Sequence, residues 1–89
     1  MKVGDWYKED KGNGRWNLAH IVEKKDDKCL CHLYKYGYDC LVGGPDSFGY
    51  LSKLWIQDKS ISLQSSFVSS EEANRLIKEV GGEIAEREK

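Results

Sequence analysis

No run of apolar residues in this sequence approaches the roughly twenty needed to cross a bilayer. None follows the opening Met1-Lys2-Val3-Gly4-Asp5 to make a signal peptide. An excess of one charge is equally missing. Fourteen basic and fifteen acidic side chains are mixed along the chain and leave a formal net charge of −1. That balance implies neither a polyanion-binding surface nor an acidic mimic of nucleic acid. Cysteine is limited to Cys29, Cys31 and Cys40, an odd set that cannot all pair within one chain. Cys29 and Cys31 also stand too close along an extended strand to bridge each other. The expectation is free thiols in a reducing, cytoplasmic setting.

What is present fits one small folded domain. Eighty-nine residues leave no room for a second core. A chain of this size buries roughly 60–65% of its unfolded surface, so modest stability is expected. Phenylalanine occurs only twice, but three tryptophans and five tyrosines bring the large rings to ten, enough to build a core.

Most of the chain reads as short strands separated by turns. Residues 3–8 form a first strand, ended by Lys11-Gly12-Asn13-Gly14. Residues 16–23 form a second, with Ala19 and Ile21 on one side and Trp16, Leu18, His20 and Val22 on the other. Both faces carry apolar groups, so alternation does not identify the inward one. Lys24-Lys25-Asp26-Asp27 is the next hairpin turn, and a third strand follows over residues 28–36. Residues 38–42 make a short fourth segment before the loop signal Gly43-Gly44-Pro45-Asp46-Ser47, where Pro45 is preset for a turn. Residues 51–56 and 60–63 read as two further strands.

The C-terminal part reads as a helix. Ser69 followed by Glu72 fits a capping box. Ala73, Leu76, Ile77 and Val80 recur at helical spacing, and Gly81-Gly82 supplies the stop. The expected architecture is mainly β: a small, strongly bent five-stranded barrel over residues 1–68, one C-terminal α-helix over 69–82 packed on it, and a charged tail over 83–89.

No catalytic or metal-binding signature emerges. Cys29-Leu30-Cys31-His32 with Cys40 holds metal-ligand residue types, yet a single residue between the thiolates is too few for a zinc knuckle. On a strand, Cys29 and Cys31 share one face while His32 points to the other. They read as small buried apolar residues beside Leu33. No local pattern joins Cys40 to His20 or His32 as nucleophile and base. The glycine-rich stretches are not followed by a helix that could hold a phosphate. The expectation is a chain without enzymatic activity, cofactor or metal.

The aromatic residues carry more information. Trp6-Tyr7 closes the first strand, Trp16 opens the second, and Tyr34-Lys35-Tyr36-Gly37-Tyr38 ends the third. On one rim of a small barrel, Trp6, Trp16, Tyr34, Tyr36 and Tyr38 would form a ring cluster able to hold a cation or grip an extended chain. Three stretches carry a likeness to a known family. They are Gly4-Asp5-Trp6, Gly14-Arg15-Trp16-Asn17-Leu18-Ala19-His20-Ile21, and Lys28-Cys29-Leu30-Cys31-His32-Leu33-Tyr34-Lys35-Tyr36-Gly37. In order and spacing this segment, about residues 3–42, resembles the Tudor-type barrels. The resemblance implies a five-stranded barrel that binds methylated lysine or arginine in an aromatic cage. Trp6, Tyr34 and Tyr36 would fall on cage positions, with Tyr38 as a substitute. Asn17 stands where a cage aromatic is often found, and Gly43-Gly44-Pro45 interrupts the expected fourth strand.

Three functions follow as expectations. The first is a protein-binding module whose aromatic rim takes a peptide or protein. The second is a stand-alone bacterial or phage regulator or inhibitor that covers a larger enzyme; a chain running from a methionine to a charged helical tail without a linker fits it. The third is a binder of single-stranded nucleic acid, stacked on the same rings, which the near-neutral charge disfavours.

Overall fold

The computed structural model describes residues 1–38 and 46–84. Its elements are β1 (Trp6–Gly12), β2 (Arg15–Lys25), β3 (Lys28–Tyr38), β4 (Asp46–Gln57), α1 (Asp58–Gln64), β5 (Ser66–Val68) and α2 (Ser70–Glu79). Local chemistry explains the hairpins. Asn13 and Gly14 join β1 to β2 with positive φ angles of 56° and 77°, the pairing that matches the twist of flanking strands. Asp26 and Asp27 join β2 to β3, and Asp26 takes the left-handed conformation that aspartate tolerates better than most residues.

The strands form one antiparallel sheet in the order β4-β3-β2-β1-β5. The mainly β fold is as expected, but the sheet is open. β4 and β5 are its edges, and no ladder joins them among the described residues. The reason lies in the side chains: a barrel has one interior, whereas this sheet carries an apolar core on each face. On one face Trp6, Trp16, Leu18 and Tyr34 pack with Ala73, Leu76 and Ile77 of α2 and with Ile84. On the other, Ile21, Cys29 and Cys31 pack with Ile61 of α1, flanked by Met1, Tyr7, Ala19, Leu33 and Ile56.

Two helices therefore clamp the sheet where one was expected. Residues 60–63, expected as a strand, lie within α1. Ser-Ile-Ser-Leu alternates like a strand, yet only Ile61 is buried and Leu63 is 82% exposed. Residues two apart on a helix point well away from each other, which accounts for that split. Residues 51–56 belong to a longer strand that begins at Asp46. The segment expected over 38–42 and the loop Gly43-Gly44-Pro45 fall almost wholly outside the described residues; Tyr38 closes β3.

α2 forms where its sequence predicts, with the serine half of the expected capping box in place. The Ser69 hydroxyl accepts from the Glu72 amide at 3.1 Å, while the Glu72 carboxylate takes Arg75 at 2.6 Å. Its apolar stripe covers the tryptophan face, and each large buried side chain there contributes ~1.5–3 kcal/mol. At the other end, Gly81 has φ 75°, and the amides of Gly81 and Gly82 donate to the carbonyls of Lys78 and Ile77 at 3.0 and 2.9 Å. This is a Schellman turn. A Cβ on Gly82 would overlap the Phe48 ring, so the turn settles on β4 only with glycine there. Among the described residues, no helix is long and apolar enough to cross a membrane.

Candidate functional site

The structure gathers the expected rings, but into the core. Trp6, Trp16 and Tyr34 are 2%, 5% and 0% exposed. Trp6 stacks on His20 at 4.0 Å between ring centres and lies 5.8 Å from Tyr34. Trp16 lies 5.8 Å from Tyr36 and 6.1 Å from Phe48. Tyr34 stacks on Phe48 at 5.8 Å and meets Tyr50 edge-on at 5.5 Å. The expected wet rim is thus corrected: α2 lies over Trp6, Trp16 and Tyr34 and occupies the space a ligand would need. Tyr36 is half-buried against the same core. The side chain of Tyr38 lies outside the described residues.

The two described cysteines sit on the opposite face from His32, as strand geometry requires. Cys29 Sγ donates to Asp58 Oδ1 at 2.9 Å, and Lys24 Nζ meets Asp58 Oδ2 at 2.6 Å. The thiol's hydrogen bond, followed by that of the lysine, holds the Asp58 carboxyl below its ordinary value. Burial, then Asp58, pushes the Cys29 thiol up to about 12, and the same two causes push Cys31 to about 11. Neither is a nucleophile near neutrality. Among the described residues no three His, Cys, Asp or Glu side chains converge as a metal site, and Cys40 lies outside them.

These thiols predict an alkaline weakness. Both folded values lie above the unfolded value near 8.5. Stability is therefore fully present below about pH 8.5 and is lost as pH rises toward the folded values, because only the unfolded chain ionises. Peptide-mapped alkylation at pH 8 should modify Cys29 and Cys31 only after denaturant is added. Rapid modification of either in the native protein would contradict their burial.

Among the described residues, the exposed large apolar side chains gather most densely on β4. Tyr50, Leu51, Leu54 and Trp55 are 43%, 52%, 44% and 42% exposed. They fall within six consecutive positions of an edge strand. β4 pairs with β3 from Tyr38↔Asp46 to Lys28↔Gln57, and one bulge interrupts the ladder: Leu33 faces Ser52 and Tyr34 faces Tyr50, leaving Leu51 over. The bulge changes the alternation. Phe48, Tyr50, Lys53 and Trp55 share the α2 face, whereas Gly49, Ser52, Leu54 and Ile56 share the α1 face. On that second face Leu51 borders a cavity of about 160 Å³ between α1 and the sheet, lined by Tyr7, Ala19, Leu33, Ile56 and Ile61.

Both ends of β4 are strapped to the sheet. At its start, Arg15 Nε donates to the two Asp46 carboxylate oxygens at 3.1 and 3.0 Å, its stem passing beside Gly37. Just past its end, the Lys24–Asp58 pair holds the turn into α1. Both ends of the strand are thereby fixed to the sheet while its outer edge is left open among the described residues.

Sequence reasoning passed over this strip. The available signal was Tyr50-Leu51-Ser52-Lys53-Leu54-Trp55-Ile56, whose large apolar residues alternate to neither face alone. A strand apolar on both sides is either central or an edge awaiting a neighbour. No protein-family model, no curated protein and no solved structure matches this chain.

Proposed function

We propose that this chain is a non-enzymatic protein-binding module and that its docking surface is the β4 edge. One observation carries this reading: four large apolar side chains, two of them aromatic, stand half-exposed within six positions. A cluster of exposed large apolar side chains along one edge strand marks an interaction site more often than singly scattered ones do. Tyrosine and tryptophan are also the residues that most often anchor protein interfaces. The strapped ends of β4 add to the case, because a strand held in place loses little freedom on binding. The aromatic grip expected of Trp6, Trp16 and Tyr34 passes to Tyr50 and Trp55. Methyl-ligand recognition of the Tudor type needs cage rings open to solvent, and the cage positions Trp6 and Tyr34 are covered.

A photo-crosslinking residue in place of Leu54 tests the reading in expressing cells, with the same residue in place of Lys78 on the exposed side of α2 as control. An adduct is expected from position 54 and not from 78, and Trp55→Ala should abolish it. Equal labelling from both positions, or none from 54, would defeat the proposal.

A further inference from the structure

The β4 strip has a property that a one-sided docking face lacks: its exposed apolar residues lie on both faces of the sheet. Tyr50 and Trp55 share the α2 side, and Leu51 and Leu54 the α1 side. A protein laid on one face would cover one pair and leave the other wet. A strand added alongside the edge covers both at once, since its own side chains alternate to the two faces.

The pattern of β4 also says what that strand is. In an antiparallel pair related by a two-fold axis normal to the sheet, each residue must meet a residue of the same face. A regular strand cannot satisfy this about the midpoint of a peptide bond, because its alternation is out of step there. The Leu51 bulge supplies the missing shift. With the axis at the Leu51–Ser52 peptide, Phe48 meets Trp55 and Tyr50 meets Lys53, all on the α2 face. On the α1 side Gly49 meets Leu54 and Leu51 meets Ser52. The same register overlaps β4 along its whole length, from Asp46 opposite Gln57 onward.

Each of those pairs is chemically matched: ring with ring, cation with ring, and a leucine beside glycine or serine. Lys53 is the sole formal charge within residues 47–57. A lysine at mid-edge ordinarily discourages pairing. In this register it lies beside a tyrosine, and the two lysine positions stand three residues apart, about 10 Å along the ladder.

We propose that β4 pairs antiparallel with β4 of a second copy in this register, doubling the five-stranded sheet across a two-fold axis. The proposal rests on the reading of β4 as the docking surface and names its occupant.

Sedimentation equilibrium from low micromolar to near-millimolar concentration should show twice the protomer mass. In a mixture of isotope-labelled and unlabelled chains, filtered NOEs should connect the Tyr50 ring of one copy with the Lys53 side chain of the other. Lys53→Glu and Trp55→Ala, both at exposed positions, should keep the circular dichroism spectrum and raise the dissociation constant about tenfold or more. A dimer whose NOEs lie elsewhere, or whose affinity ignores both substitutions, overturns the proposal. A monomer at every concentration that still crosslinks another protein from position 54 overturns self-pairing and leaves the docking surface standing. A monomer with no crosslink from position 54 removes both.

Discussion

Tyr34→Ala should unfold this protein under conditions where the parent chain is native. Tyr34 is fully buried, and its ring lies between Trp6 and Phe48 with Tyr50 at its edge. It belongs to the core that α2 covers, so truncation leaves a hole bounded on the sheet side by rings and on the other by Ala73, Leu76 and Ile77. Removing a buried aromatic side chain costs about 3–5 kcal/mol, and rings that cannot collapse into the gap keep the cost high. A chain of this length has a total stability of about 4–13 kcal/mol. The substitution therefore removes a large share of what holds the domain together. Tyr34→Phe keeps the ring and should remain folded. Urea titration followed by far-UV circular dichroism checks both variants. A folded Tyr34→Ala with an unchanged midpoint would mean that this ring is not a core residue, and the aromatic rim would have to be reconsidered.

That expected outcome shows where the sequence was ambiguous. Trp16, Leu18 and His20 alternate with Asn17, Ala19 and Ile21 along β2, and no hydrophobic contrast separates the two sets. The structure explains why: both sets face a core. Trp16 and Leu18 lie under α2, and Ile21, with Ala19 beside it, under α1. A strand between two cores gives no inward–outward signal, so the rings could be grouped from the sequence without knowing that α2 would cover them.

Features governed by local chemistry were legible. Asn13-Gly14 and Asp26-Asp27 turned where their conformational freedom predicts, and Ser69 and Gly81 bound α2 at its two ends. Features governed by distant packing were not. α1 carries no helical stripe, since one buried isoleucine in seven residues sets no period. Nor could β4 be read as an edge, because edge position depends on strand order, and strand order is decided by pairings far apart in the chain.

α1 supplies the second large expected effect. Helices this short are not stable alone, because few hydrogen bonds offset the cost of nucleation. α1 also lacks a side-chain hydrogen bond at its N-cap, Gln57. Its first residue is tied to the β2–β3 turn, where the Asp58 amide donates to the Asp27 carbonyl at 2.8 Å, and further contacts hold the rest. Ile61 enters the core beside Ile21, Cys29 and Cys31, the Asp58 carboxylate accepts from Lys24 and Cys29, and the Ser65 amide and hydroxyl close the far end on the Ile61 carbonyl at 2.9 and 2.7 Å. Ile61 is the one buried side chain that α1 contributes to the thiol face. Ile61→Ala should cost about 2–5 kcal/mol and release α1 before the sheet melts, because the contacts that remain to the sheet are polar ones gathered at Asp58, a partly exposed ion pair among them. Alkylation should then reach Cys29 and Cys31 without denaturant while the far-UV spectrum stays strand-rich. Acid should loosen the tether further: the folded Asp58 carboxyl lies below its ordinary value, so its contribution is present at neutral pH and disappears as pH falls through the carboxylate range. Thiols that stay shielded in Ile61→Ala, with an unmoved unfolding midpoint, would show that α1 is fastened by something other than this side chain.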